Sequence, residues 1–228
     1  MAYPSCLELV NLDASCNAIS KVGGVASFVY FGSKKSWYDR YVATEQPIIK
    51  YDTIDTTNYG WVLEFSPTEI LGTELAKFEG VEFKNNAGFE TLPGENVNVF
   101  NHNVNMILYW DTQAELELLQ SILLSEDNFA IVCTNSGDIK VYGLERGKSY
   151  SPLGADTFTD KLGLKNISAS GGDILEIQGE TGTNVSLQAV NILNMPYFLI
   201  GVVDTLDEDN YTSYSDMITQ LDLLCANN

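Results

Sequence analysis

Short runs of β-branched and aromatic residues, each ended by Gly, Asn, Asp or Pro, recur along this chain and constrain its fold. Strands are predicted at residues 24–32, 61–65, 78–83, 98–110, 129–133, 139–144, 174–180, 185–190 and 198–203. Turn residues 135–138 and 181–184 predict two hairpins, whereas stretches 34–58 and 145–170 are polar and loop-like. This spacing is typical of an antiparallel β-sandwich or barrel, and not of alternating strands and helices.

One helix is predicted in the middle of the chain. Thr112 and Glu115 form a capping-box pattern, in which each side chain satisfies a free backbone N–H group. An apolar stripe at three- and four-residue spacing follows, formed by Leu116, Leu119, Ile122 and Leu123. The pattern predicts a flanking helix of about three turns.

A second helix is predicted near the C-terminus, within residues 205–228. Ser213, three residues before Asp216, favours a helix start there. The apolar stripe consists of Met217, Ile218, Leu221, Leu224 and Cys225. Asp216 and Asp222 are predicted to face away from the core. The fold class is therefore mainly β (α+β), with a flanking helix and a C-terminal helix.

The charge of the chain excludes several kinds of partner. Its 228 residues fit a single domain spanning 1–228, but 31 acidic residues against 12 basic ones give a net charge of −19. No Lys or Arg follows Lys165. Specific binding to nucleic acid or to an anionic membrane is disfavoured, because both need cationic side chains. The acidic surface either serves solubility alone or lets DNA pass without adhering.

The cysteines and the N-terminus predict a soluble product of the cytoplasm. Cys6, Cys16, Cys133 and Cys225 have neither zinc-site nor disulfide-framework spacing and are read as reduced. The first residues lack the basic and apolar regions of a signal peptide. No apolar run approaches the roughly 18 residues of a membrane span.

No residue pattern predicts an enzyme, a cofactor or a metal site. His102, the single histidine, lacks a nucleophile motif nearby and is read as an ordinary strand-edge residue. The segment Gly143 to Ser149 has three residues between its first Gly and Gly-Lys-Ser, whereas a phosphate loop has four. It is therefore interpreted as a turn that leaves a strand. The acids Asp204, Asp207, Glu208 and Asp209 lack calcium-loop spacing. Glu115 and Glu117 are read as residues of an exposed helix face.

The order of elements from Thr112 to Gly179 resembles that of phage major tail, or tail-tube, proteins, especially those of phages infecting Bacteroidetes. A leucine-bearing helix is followed by a strand that ends at Val132. After a polar turn comes the segment Val141-Tyr142-Gly143-Leu144-Glu145-Arg146-Gly147, and a final apolar strand ends in Glu176-Ile177-Gln178-Gly179-Glu180. The entry into the first strand, Cys16-Asn17-Ala18-Ile19-Ser20-Lys21-Val22-Gly23-Gly24-Val25, is similar too. Together these segments cover about two-thirds of the chain.

The resemblance implies a structural virion protein, located in the tail and assembled in the host cytoplasm. Such subunits form stacked homomeric rings, typically six-fold, whose inner strands join into one lumenal barrel through which genome DNA passes without specific binding. Other tail or neck proteins are the further partners implied. A long hairpin and a terminal arm usually bridge successive rings, and residues 85–94 and 1–20 are the candidates here.

Two departures from the family pattern leave other functions open. The acidic C-terminal helix and the polar stretch 34–58 also fit a neck or connector ring. A capsid decoration protein or a carbohydrate- or partner-binding β-sandwich is the remaining alternative, since the aromatics Trp37, Tyr38 and Tyr41 would suit such contacts.

Overall fold

The computed structural model describes residues 24–33, 48–66, 75–80, 85–94, 97–109, 112–124, 128–146, 165–173, 181–206 and 209–225. Twelve strands and two helices lie within these ranges. The first six strands are β1 (Val25–Ser33), β2 (Ile48–Thr53), β3 (Tyr59–Phe65), β4 (Ala76–Glu79), β5 (Asn86–Leu92) and β6 (Val99–Tyr109). The remaining elements are α1 (Gln113–Leu124), β7 (Asn128–Thr134), β8 (Ile139–Tyr142), β9 (Lys165–Asp173), β10 (Thr181–Ile192), β11 (Tyr197–Asp204), β12 (Asn210–Tyr211) and α2 (Tyr214–Leu223).

Eight of these strands form one sheet and four form another. The larger sheet has the order β2-β3-β11-β8-β7-β1-β4, with β12 also paired to β11. Strands β3 and β11 run parallel, which departs from the purely antiparallel prediction. The smaller sheet has the order β5-β6-β10-β9, and all its pairs are antiparallel.

Alternation along the central strands of the larger sheet buries both of its faces. Tyr30 and Ile131 pack into a core shared with α2, whereas Val29 and Val132 pack into a second core against the four-stranded sheet. Successive side chains point to opposite faces of a strand, so each of these strands serves two cores. The predicted mainly β fold with a flanking helix and a C-terminal helix is confirmed. Among the described strands neither sheet closes into a barrel.

Helix α2 begins as predicted and packs on the larger sheet. The Ser213 hydroxyl accepts a hydrogen bond from the Asp216 backbone N–H, as an N-cap residue does. Met217 and Leu221 of the stripe are buried. Asp222 is exposed, as predicted, but its carboxylate lies at the edge of the core. Its carboxylate accepts hydrogen bonds from Tyr30 Oη at 2.7 Å and from Lys77 Nζ at 2.9 Å, and so fastens α2 to β1 and β4.

Substitution of Asp222 by alanine is expected to destabilise the protein by about 2 kcal/mol, because the Tyr30 hydroxyl loses its acceptor. Burial and the bond to Asp222 already raise the pKa of Tyr30 above its usual value. Urea unfolding of Asp222→Ala, with Asp209→Ala as the acid-removal control, measures the effect. The same substitution in a Tyr30→Phe background should cost clearly less, and an equal cost would refute this account.

Helix α1 is confirmed, and its Leu119 is buried in the second core. Leu116, Ile122 and Leu123 lie in the helix, but their side chains are outside the described part of the chain, as is that of Glu115. Neither of the two described helices is long and apolar enough to cross a membrane.

Three of the loop and turn predictions are wrong in part. Stretch 34–58 contains β2, and stretch 145–170 contains the first residues of β9. Residues 181–184, predicted as a turn, begin β10 and pair with β9, and the strand predicted at 174–180 lies outside the described residues. Residues 85–94, the candidate hairpin between rings, contain β5, which pairs with β6, and the candidate arm 1–20 lies outside the described residues. The predicted turn at 135–138 does join β7 to β8.

A candidate assembly surface on the four-stranded sheet

The four-stranded sheet ends in two strands that have one partner each among the described residues. β5 pairs with β6 alone, from Asn86↔Asn105 to Leu92↔Val99. β9 pairs with β10 alone, from Lys165↔Gln188 to Asp173↔Thr181. Each edge strand therefore offers a row of backbone N–H and C=O groups for pairing with another strand.

The outer face of this sheet, which points away from the second core, carries a row of amides and hydroxyls. In β6, Val104 and Met106 point into the core, so Asn101, Asn103 and Asn105 point outward. Asn105 Nδ2 donates to Asn86 Oδ1 at 2.7 Å, and its Oδ1 accepts from the Ser186 hydroxyl. These bonds run across β5, β6 and β10.

Three of the four strands of this sheet carry little charge in a strongly acidic chain. β9 contains Lys165 and Asp173, but among the residues of β5, β6 and β10 only Glu90 carries a charge at neutral pH. Its carboxylate accepts a hydrogen bond from Asn101 Nδ2 at 2.9 Å. The face can therefore form hydrogen bonds, while offering little attraction to a polyanion.

His102 is fully buried on the inner side of β6, so its interpretation as a strand-edge residue is wrong. Its Nδ1 accepts a hydrogen bond from the Gly143 N–H at 3.1 Å, and its Nε2 lies 2.7 Å from the Asn194 carbonyl oxygen. Because Nδ1 accepts, the neutral ring carries its proton on Nε2 and donates it to Asn194. The imidazole thus joins the two sheets through backbone groups beyond β8 and β10.

Burial lowers the pKa of His102 to about 4, and the bond to the Asn194 carbonyl offsets only part of that effect. The ring is therefore neutral at physiological pH. Both of its nitrogens are occupied by backbone partners, and its edge meets the Tyr142 ring at a centroid distance of 5.8 Å. This environment suits a structural clamp, since a general base needs a free nitrogen beside a substrate.

Two asparagines hold the connection between β10 and β11 in place. The buried Asn194 side chain donates to the carbonyl oxygens of Leu144 and Met195, and accepts from the Arg146 backbone N–H. Asn101 Oδ1 accepts from the N–H of Asn191, whose φ of 58° is one that asparagine tolerates better than most residues. We call His102, Asn194 and Asn101 the polar clamp.

The other residues singled out from the sequence do not meet at one place. Gly143 leaves β8 with a φ of 86°, as predicted for a turn, whereas 147–149 lie outside the described residues. The Asp204 carboxylate accepts from the Leu206 N–H, and Glu117 accepts from Gln113 on α1. Among the described residues no group of three or more His, Cys, Asp or Glu side chains could hold a metal ion.

The remaining sequence candidates are the cysteines and the loop aromatics. Cys133 is free and buried, Cys225 is buried, and burial raises the pKa of the Cys133 thiol to about 12, which keeps it protonated and unreactive. Cys6, Cys16, Asp207, Glu208 and the aromatics Trp37, Tyr38 and Tyr41 lie outside the described residues.

The amide row was missed from the sequence, although the signal was present. Asn101, Asn103 and Asn105 recur at a spacing of two inside a predicted strand, which places all three on one face. The polar clamp had no such signal, because the partners of His102 lie 41 and 92 residues away.

Comparisons with protein-family models, curated proteins and solved structures found no match to this chain. The likeness to tail-tube proteins therefore rests on the order of its sequence elements and stays a prediction.

Proposed function

We propose that this protein is a non-enzymatic structural subunit of a phage tail, which assembles into stacked homomeric rings forming a tube for DNA. The observation that carries the proposal is the four-stranded sheet, whose edge strands have one partner each among the described residues and whose strands β5, β6 and β10 expose a polar, nearly uncharged face. The order of sequence elements from Thr112 to Gly179 supports the same assignment.

The open edges supply a way to close a ring. β5 has seven residues and contains neither Pro nor Lys, two residues that proteins use to block edge pairing. If β5 of one copy pairs with β9 of the next, the four-stranded sheets of all copies become one continuous barrel. A closed barrel leaves no edge strand unpaired, so assembly removes the aggregation hazard of the isolated subunit.

The outer face suits the lumen of such a barrel. Phosphates bind proteins chiefly through Lys and Arg, and β5, β6 and β10 contain neither, so Lys165 at the start of β9 is the one basic residue of these four strands. Because the amides and hydroxyls of this face bond to one another across the strands, fewer of their donors are available to bind DNA as it passes. The six-fold symmetry and the contacts with other tail or neck proteins belong to the same proposal.

The edge pairing is tested with proline at Gly88 and at Thr91 of β5. Successive residues of a strand point their N–H groups to opposite edges, and these two positions differ by three residues. One proline therefore removes an N–H at the open edge, whereas the other breaks the ladder with β6. The variant that keeps the wild-type melting temperature identifies the open-edge position.

We expect the wild-type protein to form rings or tubes in negative-stain micrographs and in mass photometry. The open-edge proline variant should stay folded and remain a monomer. A folded wild-type protein that stays monomeric at high concentration would contradict the proposal, as would an open-edge variant that still forms rings. Rings that never stack would favour the neck or connector alternative.

A further inference from the structure

Exposed apolar side chains gather at one end of the four-stranded sheet. Val97 is 55% exposed, Val190 46%, Leu193 57% and Met195 45%. These four residues lie just before β6 and where the chain leaves β10, and the two strands pair with each other at this end. We call them the apolar end. Exposed apolar groups that lie together, with polar residues around them, mark contact surfaces.

The polar clamp fixes the backbone that presents these side chains. The Asn101 side chain accepts from the Asn191 N–H, His102 bonds to the Asn194 carbonyl oxygen, and the Asn194 side chain donates to the Met195 carbonyl oxygen. A loop held in one conformation loses less entropy when it binds, so apolar side chains on it contribute more to affinity. The polar clamp therefore restrains the backbone of the connection between β10 and β11, which carries exposed apolar side chains.

The charge around the apolar end identifies its partner. From Thr181 to Val203 the chain contains no charged residue, and two cations flank the connection. Lys140 Nζ lies 5.0 Å from the ring centre of the exposed Phe198, and the Arg146 guanidinium lies 4.9 Å from that of Tyr51. Glu90 accepts a hydrogen bond from Asn101, and Glu145 lies between Leu144 and Arg146, the two residues bonded to the Asn194 side chain. These two acids balance the two cations, whereas elsewhere the chain is strongly acidic, so this region repels another copy of the same chain least.

From this geometry we infer that the apolar end is a contact for a second copy of this chain, separate from the β5 and β9 edges. The inference rests on the proposed ring function and deepens it. In this arrangement the edge strands β5 and β9 join neighbouring copies within a ring. The apolar end lies at the tips of the strands, and so it contacts a copy in the next ring. Each contact between rings is heterologous, which allows stacking without a fixed limit.

The test replaces two exposed side chains of the apolar end without adding charge, in the variant Leu193→Asn/Met195→Gln. A matched control, Leu206→Asn/Leu223→Gln, changes two leucines that are 52% and 51% exposed and lie outside the apolar end. Both variants should keep the far-ultraviolet circular dichroism and melting temperature of the wild type. Tube length in micrographs and sedimentation velocity over a concentration series are then compared.

We expect the apolar-end variant to form rings that do not stack, with a critical concentration for tube growth raised about tenfold or more. The control should form wild-type tubes. Wild-type tubes from the apolar-end variant would overturn the inference while leaving the ring proposal intact. Folded monomers from that variant would overturn the axial placement, because the apolar end would then be needed within a ring. A monomeric wild type would instead refute the ring proposal itself, and the inference with it.

Discussion

Lowering the pH from 7 to 5 is expected to destabilise this protein by about 2 kcal/mol through His102 alone, and by about 3 kcal/mol at pH 4. The folded state holds this imidazole at a pKa of about 4, against an ordinary value of 6.5. Between these values the unfolded chain binds a proton that the folded chain does not, so stability rises with pH. The contribution is complete above about pH 6.5 and is lost as the pH falls towards 4.

The structural cause is the pair of hydrogen bonds made by the ring. Protonation of Nδ1 would leave the imidazolium and the Gly143 N–H facing each other as two donors 3.1 Å apart, at a side chain that is fully buried. Among the described residues no carboxylate bonds to the ring, so the charge would be buried unpaired, which is costly. The folded protein therefore stabilises the neutral form of the His102 ring, and the second proton is released on folding.

Because His102 is the single histidine, its titration can be measured without assignment. The imidazole Cε1 proton should keep its chemical shift from pH 8 to pH 5 in the folded protein, and titrate near 6.5 in urea. Unfolding free energies at pH 7, 6 and 5 give the linkage directly. In a His102→Gln variant the drop between pH 7 and 5 should vanish, although its stability is lower throughout. A folded-state titration near 6.5 would refute the burial argument.

The sequence predicts the elements of this fold better than the surface that we propose to be functional. β1, β3, β6 and the hairpin of β7 and β8 follow from local alternation and turn residues, and α2 begins at the predicted Ser213. Such signals lie within a few residues of each other, so a local reading finds them. The hydrogen bonds of Asp222 were not predicted, because its partners, Tyr30 and Lys77, come from strands 192 and 145 residues away.

Strand pairing shows the same limit. β2 and β9 were read as loops because their polar composition hides them: Lys50 and Asp52 interrupt the first, and Ser and Gly fill the second. Lys50 becomes acceptable in a strand because Glu64, on the neighbouring β3, lies 2.7 Å from its Nζ. The bonds from Glu64 and Asp52 also keep the pKa of Lys50 raised despite its burial. A strand stabilised by its neighbour has no signature within its own residues.

Truncation of Phe129 gives the other large effect expected for this protein. The side chain is fully buried in the core beneath α2, so Phe129→Ala should cost about 4 kcal/mol of unfolding free energy. Phe129 pairs in register with Gly32 of β1. A Cβ atom at position 32 would lie 2.5 Å from Cζ of this ring, closer than any real contact, so Gly32→Ala alone should cost about 2 kcal/mol through overpacking.

The two substitutions should offset each other. Without the phenyl ring the new methyl group has room, so the double variant should be no less stable than Phe129→Ala alone, with a coupling of about 2 kcal/mol. Urea unfolding of the two single variants and the double variant completes the cycle. Gly32→Ala combined with Phe129→Leu refines the test, since leucine keeps most of the core volume and gives up the part of the ring that reaches Gly32. Additive costs would mean that the ring moves aside freely, and that the missing Cβ at Gly32 is not what admits Phe129 between β1 and β7.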